Sequence, residues 1–270
     1  MEKSSYSFIQ LNTSTYLLEA CDSVAIQIRR KSRLVEREGL YTDYVFDEPY
    51  SNIQSSTEFI GLNLTYINQL AAVLEGTLRT FICELMQRDS GIIGELSISK
   101  KDEKDYGALV RAYSVTKKYR EDIEFKGGWD NLKRQYREVL NINLDSVLEK
   151  EKVAGINSIF TLRNVAAHGT AIVTPKIKLD DVSEGDYPFK WQSKLQNLSV
   201  YIKKEFNLDL LDALQHPSLC FHYTNLVKEF TIALRNETVL PINSNALFNN
   251  LKNYSFGYVN NYEFPTQDEK

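Results

Sequence analysis

Residues 57–89 read TEFIGLNLTYINQLAAVLEGTLRTFICELMQRD, and their reading decides the fold class. Leu64, Ile67, Ala71, Leu74, Leu78, Ile82 and Leu85 recur at steps of three and four. That spacing places them on one side of a 3.6-residue helix and predicts one buried stripe. Glycine and proline, the punctuation of strand-and-turn architectures, number only 12 and 6 in 270 residues. SGIIGE at 90–95 carries two glycines and is expected to break the helix.

The helical period continues outward on both sides. Residues 13–38 form an expected helix capped by Thr13 or Ser14, and a polar, aromatic, turn-like segment leads through Pro49 to Ser56. Past the long helix, KKDEKD at 100–105 reads as a solvated loop and YGALVRAYSVTKKYRED at 106–122 as a helix. GGW at 127–129 punctuates before WDNLKRQYREVLNI, and residues 144–169 supply one helix or two. Residues 170–190, with Pro175, Pro188 and the acids Asp180, Asp181, Glu184 and Asp186, are expected to be a loop. Residues 191–214 are helical again, and HPSLCFHYTNLVKEFTIALRN at 216–236 is the last long helix, with Pro217 in its first turn. The Asn- and Tyr-rich residues after Pro241 are expected to pack irregularly or fray. The expectation is an all-α protein with an N-terminal helical extension (1–56), a helical domain (57–240) and an irregular tail (241–270).

Composition narrows the function classes. The net charge is −4, so a nucleic-acid role would need a local basic patch rather than a basic domain. RRKSR at 29–33 reads first as a charged helix face and only second as an RNA contact. Cys21, Cys83 and Cys220 are scattered and odd in number, which suits a reducing compartment. The first twenty residues lack the pattern of a secretory signal, and no apolar run approaches the ~20 residues of a membrane span. A cytoplasmic protein is expected. His216, Cys220 and His222 match no zinc spacing, the acids at 180–186 read as solvated, and phosphate-loop, dinucleotide and zincin motifs do not occur. No metal or cofactor is expected.

SIFTLRNVAAHGTAI, residues 158–172, poses the functional question. At ~100° per residue, Ile156, Ile159, Phe160, Leu162, Ala166 and Ala167 fall within roughly 100° of Arg163 on a helical wheel. Asn157, Thr161, Asn164 and His168 share the other side, and Asn164 and His168 are an i,i+4 pair. An arginine on an apolar face needs an anion, because an unpaired buried charge costs several kcal/mol. Glu75, at the edge of the long helix's apolar stripe, is the candidate internal partner. His168 can equally be a helix C-terminal residue favoured by the dipole, with Gly169 as left-handed cap. A structural and a functional reading both stand at this point.

Arg163-Asn164-Val165-Ala166-Ala167-His168 resembles the R-x4-H signature of HEPN domains, in which a polar residue usually follows the arginine. The similarity extends over about residues 57–240, as a HEPN-like helical bundle. The same LRN tripeptide recurs at 234–236, but Leu240 stands where the histidine would be. The resemblance implies a metal-independent endoribonuclease that works as a homodimer, with two motif helices forming one composite cleft. It implies Arg163 on the scissile phosphate, His168 as general acid or base, Asn164 orienting either, and Glu75 in support. It also suggests a toxin or antiviral-defence effector with an RNA substrate and a cognate antitoxin or defence partner. A catalytically silent module binding RNA or a protein through the same face is the alternative. Some HEPN toxins carry a modifiable tyrosine two residues after the histidine; this chain has Thr170.

Overall fold

The computed structural model describes residues 12–32, 57–101, 104–173, 194–236 and 242–257. Among them the chain forms helices and no sheet, as the periodicity requires. The helices are α1 (Thr13–Ser32), α2 (Glu58–Ser99), α3 (Tyr106–Phe125), α4 (Trp129–Leu140) and α5 (Lys150–His168). They continue as α6 (Lys194–Phe206), α7 (Leu210–Leu214), α8 (Ser218–Asn236) and α9 (Ile242–Asn253). A single 3-10 turn, Leu144–Ser146, joins α4 to α5, so residues 144–169 make one α-helix preceded by a turn.

α2 is the axis of the molecule. Beside the expected stripe it buries a second one, Tyr66, Leu70, Val73, Thr77 and Phe81, because helices pack on more than one of its sides. It contacts α1, α3, α4, α5, α7, α8 and α9. The second stripe was hidden in the sequence because Tyr66 and Thr77 read as polar. Burial answers them with hydrogen bonds and packing: the Tyr66 hydroxyl is 2.6 Å from Thr224 Oγ1.

Two expectations are corrected. SGIIGE does not break α2, which runs on to Ser99. A helical glycine costs only about 1 kcal/mol relative to alanine. α3 packs back along the helix here, with the Tyr113 ring 3.5 Å from where a Cβ on Gly94 would sit. α1, in the N-terminal helical extension, packs onto the common core: Leu18, Cys21, Ala25 and Ile28 are at most 1% exposed. The residues after Pro241 form α9 rather than an irregular tail. Leu247, Leu251 and Tyr254 recur at helical spacing and are buried with Phe248 and Phe256. Asparagine is a poor helix former, but tertiary burial overrides so weak a preference.

Two asparagines supply the left-handed turns that end helices: Asn141 (φ 54°) after α4 and Asn207 (φ 53°) after α6. Asn207 splits the expected 191–214 helix into α6 and α7. The acids Asp180, Asp181, Glu184 and Asp186, and residues 33–38 of the first expected helix, lie outside the described residues. Arg29 of the basic cluster is buried and donates to the Phe256 carbonyl at 3.3 Å, and Lys31 pairs with Glu58 at 2.7 Å. Among the described residues no helix is long and apolar enough to cross a membrane.

Candidate functional site

α5 ends where the sequence demands. Gly169 takes φ 60°, and the Thr170 N–H closes back onto the Val165 carbonyl at 3.2 Å. Arg163, Asn164 and His168 thus occupy the last turns of a firmly capped helix. Ile156, Ile159, Phe160, Leu162 and Val165 are buried in the chain's own core. Arg163 is half-buried at the edge of that face, while Asn164, Ala167 and His168 are exposed. Ala167 departs from the wheel because the core ends before the last turn of the helix.

Arg163 meets Glu75, with Nη2 donating to Oε2 at 2.7 Å. Glu75 has further partners, all on Oε1: Arg79 donates through Nε at 3.1 Å and Nη2 at 2.7 Å, and the Gly128 N–H at 3.1 Å. Arg79 in turn donates to the Ile123 carbonyl at 2.5 Å. One carboxylate therefore ties α2 to the end of α3, the start of α4 and the end of α5. Gly128 reaches it with φ 104°, a backbone state that only glycine adopts without strain. The Nε of Arg163 is buried and has no hydrogen-bond partner.

Beside this node lies a groove of about 850 Å³, with the polar face of α5 as its floor. α4 gives one wall and α6 the other. Arg163, Asn164 and His168 all line it, together with Asn157 and Thr161. Trp129 closes the α4 side, stacked on Phe160 with ring centroids 4.2 Å apart and its indole N–H on Asn157 at 2.7 Å. Lys133, Lys194 and Lys204 bring further positive charge. With Arg163 the groove holds four cations against two acids, Asp130 and Glu151, on a chain whose net charge is −4. Lys133 pairs with Asp145 at 3.2 Å and with Asp130 at 3.5 Å, Lys194 with Asp130 at 3.9 Å, and Lys204 with Glu151 at 3.4 Å.

The sequence pointed to Arg163, Asn164, His168 and Glu75, and the fold brings the first three to the groove and Glu75 directly behind it. It did not point to Arg79, Trp129 or the three lysines. Arg79 stands four residues after Glu75, the spacing of an ordinary surface ion pair, and only the fold shows that the pair is buried. The lysines are far apart in sequence and meet through tertiary packing alone.

Other chemistry-bearing residues are committed elsewhere. His216 accepts the Ser218 N–H on Nδ1 at 3.2 Å, at the start of α8. Cys220 contacts Asn63 Oδ1 at 3.1 Å. His222 Nε2 lies 2.6 Å from the Tyr201 hydroxyl, and burial pushes its pKa down to about 4. These three residues do not converge, and among the described residues no group of three or more His, Cys, Asp or Glu side chains is placed to hold a metal ion. Burial raises the pKa of all three thiols, that of Cys83 to about 11, so none is poised as a thiolate nucleophile. Comparison with family models, curated proteins and solved structures found no match to this chain.

Proposed function

We propose that the groove along α5 is the active site of a metal-independent endoribonuclease of the HEPN type. The observation that carries this reading is the placement of Arg163, Asn164 and His168 in one groove that three lysines also line. Arg163 holds the scissile phosphate and stabilises the charge that develops there, as a guanidinium suits a phosphate's geometry. His168 takes the proton of the ribose 2′-OH or gives one to the leaving 5′-oxygen, and imidazole is the side chain suited to both near neutrality. Asn164 orients the histidine or the phosphate. The products are a 2′,3′-cyclic phosphate and a 5′-hydroxyl, and DNA, which lacks the attacking group, is left intact.

The apolar side of α5 is occupied within the chain, so a dimer that joins two such grooves meets over the exposed end of the helix, at Asn164, Ala167 and His168. The biological role that fits this chemistry is a cytoplasmic toxin or antiviral-defence effector held in check by a partner. Thr170 offers no tyrosine for modification of the kind some HEPN toxins undergo. The Arg163–Glu75 pair favours a second reading, in which the same groove binds RNA or a protein without cutting.

The test is cleavage of total RNA in EDTA by wild type and His168→Ala. His168→Ala is expected to lose cleavage by about 10²–10⁴-fold, the usual contribution of a general acid or base. Equal cutting by both, or by neither, would leave the binding module as the better account.

A further inference from the structure

We infer that Arg79, a residue outside the groove, is a positioning residue that keeps Arg163 available to an anion by taking a share of Glu75. The inference rests on the groove's reading as a phosphate site. A carboxylate with a single cationic partner neutralises it. Glu75 does not do this to Arg163, because its charge is divided between two guanidiniums. Oε1 is filled by two N–H groups of Arg79 and by the Gly128 amide, so only Oε2 is left for Arg163, through the single atom Nη2. Both partners of Glu75 are partly shielded from solvent, the side chain of Arg79 being 14% exposed and that of Arg163 24%. Burial weakens solvent screening, so the count of charges in this node is felt at the groove. The node carries two positive charges and one negative, a surplus of one. The Nε of Arg163, buried without a partner, shows that Glu75 does not saturate the guanidinium.

Charge bookkeeping makes the proposal testable. Arg79→Met removes the surplus, Glu75→Gln raises it to two, and the double variant returns it to one. The measurement is fluorescence anisotropy with a labelled single-stranded RNA oligonucleotide, made in a His168→Ala background so that binding is read without cleavage. Arg79→Met is expected to weaken binding roughly tenfold, and Arg79→Lys to bind as the parent does. Glu75→Gln binds at least as tightly as the parent, and Glu75→Gln with Arg79→Met recovers parental affinity. A purely structural role for Arg79 predicts the reverse, a double variant worse than either single one. In the His168-containing enzyme, Arg79→Met raises KM, whereas Glu75→Gln lowers kcat because Arg163 has lost its anchor.

Thermal melts followed by circular dichroism check folding. If Arg79→Met does not fold, Arg79→Gln, which keeps a donor toward Glu75 without the charge, takes its place. Loss of binding in the double variant equal to or greater than in Arg79→Met overturns the proposal. So does failure of Arg79→Lys to bind, or absence of RNA binding by the parent. If wild type does not cut RNA but the binding order holds, the ribonuclease reading falls and the role of Arg79 stands.

Discussion

Asn63 and Glu75 both interrupt the buried surface of α2, about three turns apart, and they are built on opposite plans. Asn63 is wholly buried, and its amide is spent. Its two N–H groups go to the carbonyls of Leu214 and His216 at 2.8 and 2.9 Å, and its oxygen lies 3.1 Å from the Cys220 sulfur. The node is neutral, closed and structural, and it pins the α7–α8 corner to the central helix. Glu75 is charged, shares itself between two arginines, and sits at the edge of a groove with a donor of Arg163 unmet. The contrast separates a fastening from a site.

Isosteric changes in opposite directions sharpen that contrast most. Asn63→Asp removes both donors and points a carboxylate at two carbonyls in a dry interior. It should cost about 3–5 kcal/mol in urea unfolding at pH 7. Burial raises that acid's pKa, so the cost should shrink as the pH is lowered and the group protonates. Full stability at pH 7 would mean that the closed node is not closed.

His222 tests a second contact, made with Tyr201 of α6. Its folded pKa of about 4, set first by burial, lies below the 6.5 of a free imidazole. The unfolded chain therefore binds the extra proton between these values, and stability falls as the pH drops through that window. The loss is roughly 3 kcal/mol from pH 7 to pH 4. Glu229 acts against the shift. His222→Phe, measured by denaturation across the same range, should show a flatter acid dependence than wild type. Parallel curves would remove the histidine from the account.

Gly155 gives a smaller effect at the same contact. A Cβ there would overlap Tyr201 and Leu226, so α5 needs glycine for α6 and α8 to close against it. Gly155→Ala should cost about 1–3 kcal/mol through overpacking. An unchanged midpoint would show that α6 can slide away from α5. The smallest effect belongs to the open node. Glu75→Gln keeps the shape and most donors satisfied but removes the carboxylate from two partly shielded guanidiniums, and should cost about 1–2 kcal/mol, well under the cost of Asn63→Asp. A loss as large as that of Asn63→Asp would erase the distinction between the two nodes.

What the sequence showed and what it hid follow from the range of the interactions. The end of α5 was legible residue by residue, because a helix cap is a local event written in His168, Gly169 and the residues just before them. The Arg163–Glu75 pair was legible because an arginine among Ile156, Ile159 and Phe160 must find an acid, and Glu75 was the acid best placed for it. The breadth of α2's burial was not legible, since the second stripe contains Tyr66 and Thr77, whose hydroxyls mask it. α9 was masked by its asparagines. The walls of the groove were illegible for a different reason: Lys133 and Lys204 become neighbours only after α4 and α6 have packed on either side of α5.

The second stripe of α2 also bears on synthesis. A chain leaves the ribosome N-terminus first. Tyr66 packs edge-on against Phe256 at 5.2 Å and bonds the Tyr254 hydroxyl at 3.2 Å, and Phe81 meets Phe248 at 5.9 Å. Their partners all lie in the final stretch of the described chain. Every residue lining the groove, from Gly128 to Lys204, has been made before those rings appear. While it is being translated, the chain therefore holds the described groove residues of α4, α5 and α6 while α2 is still bare along one side. That side of α2 is covered only when α9 and the residues after it have been made.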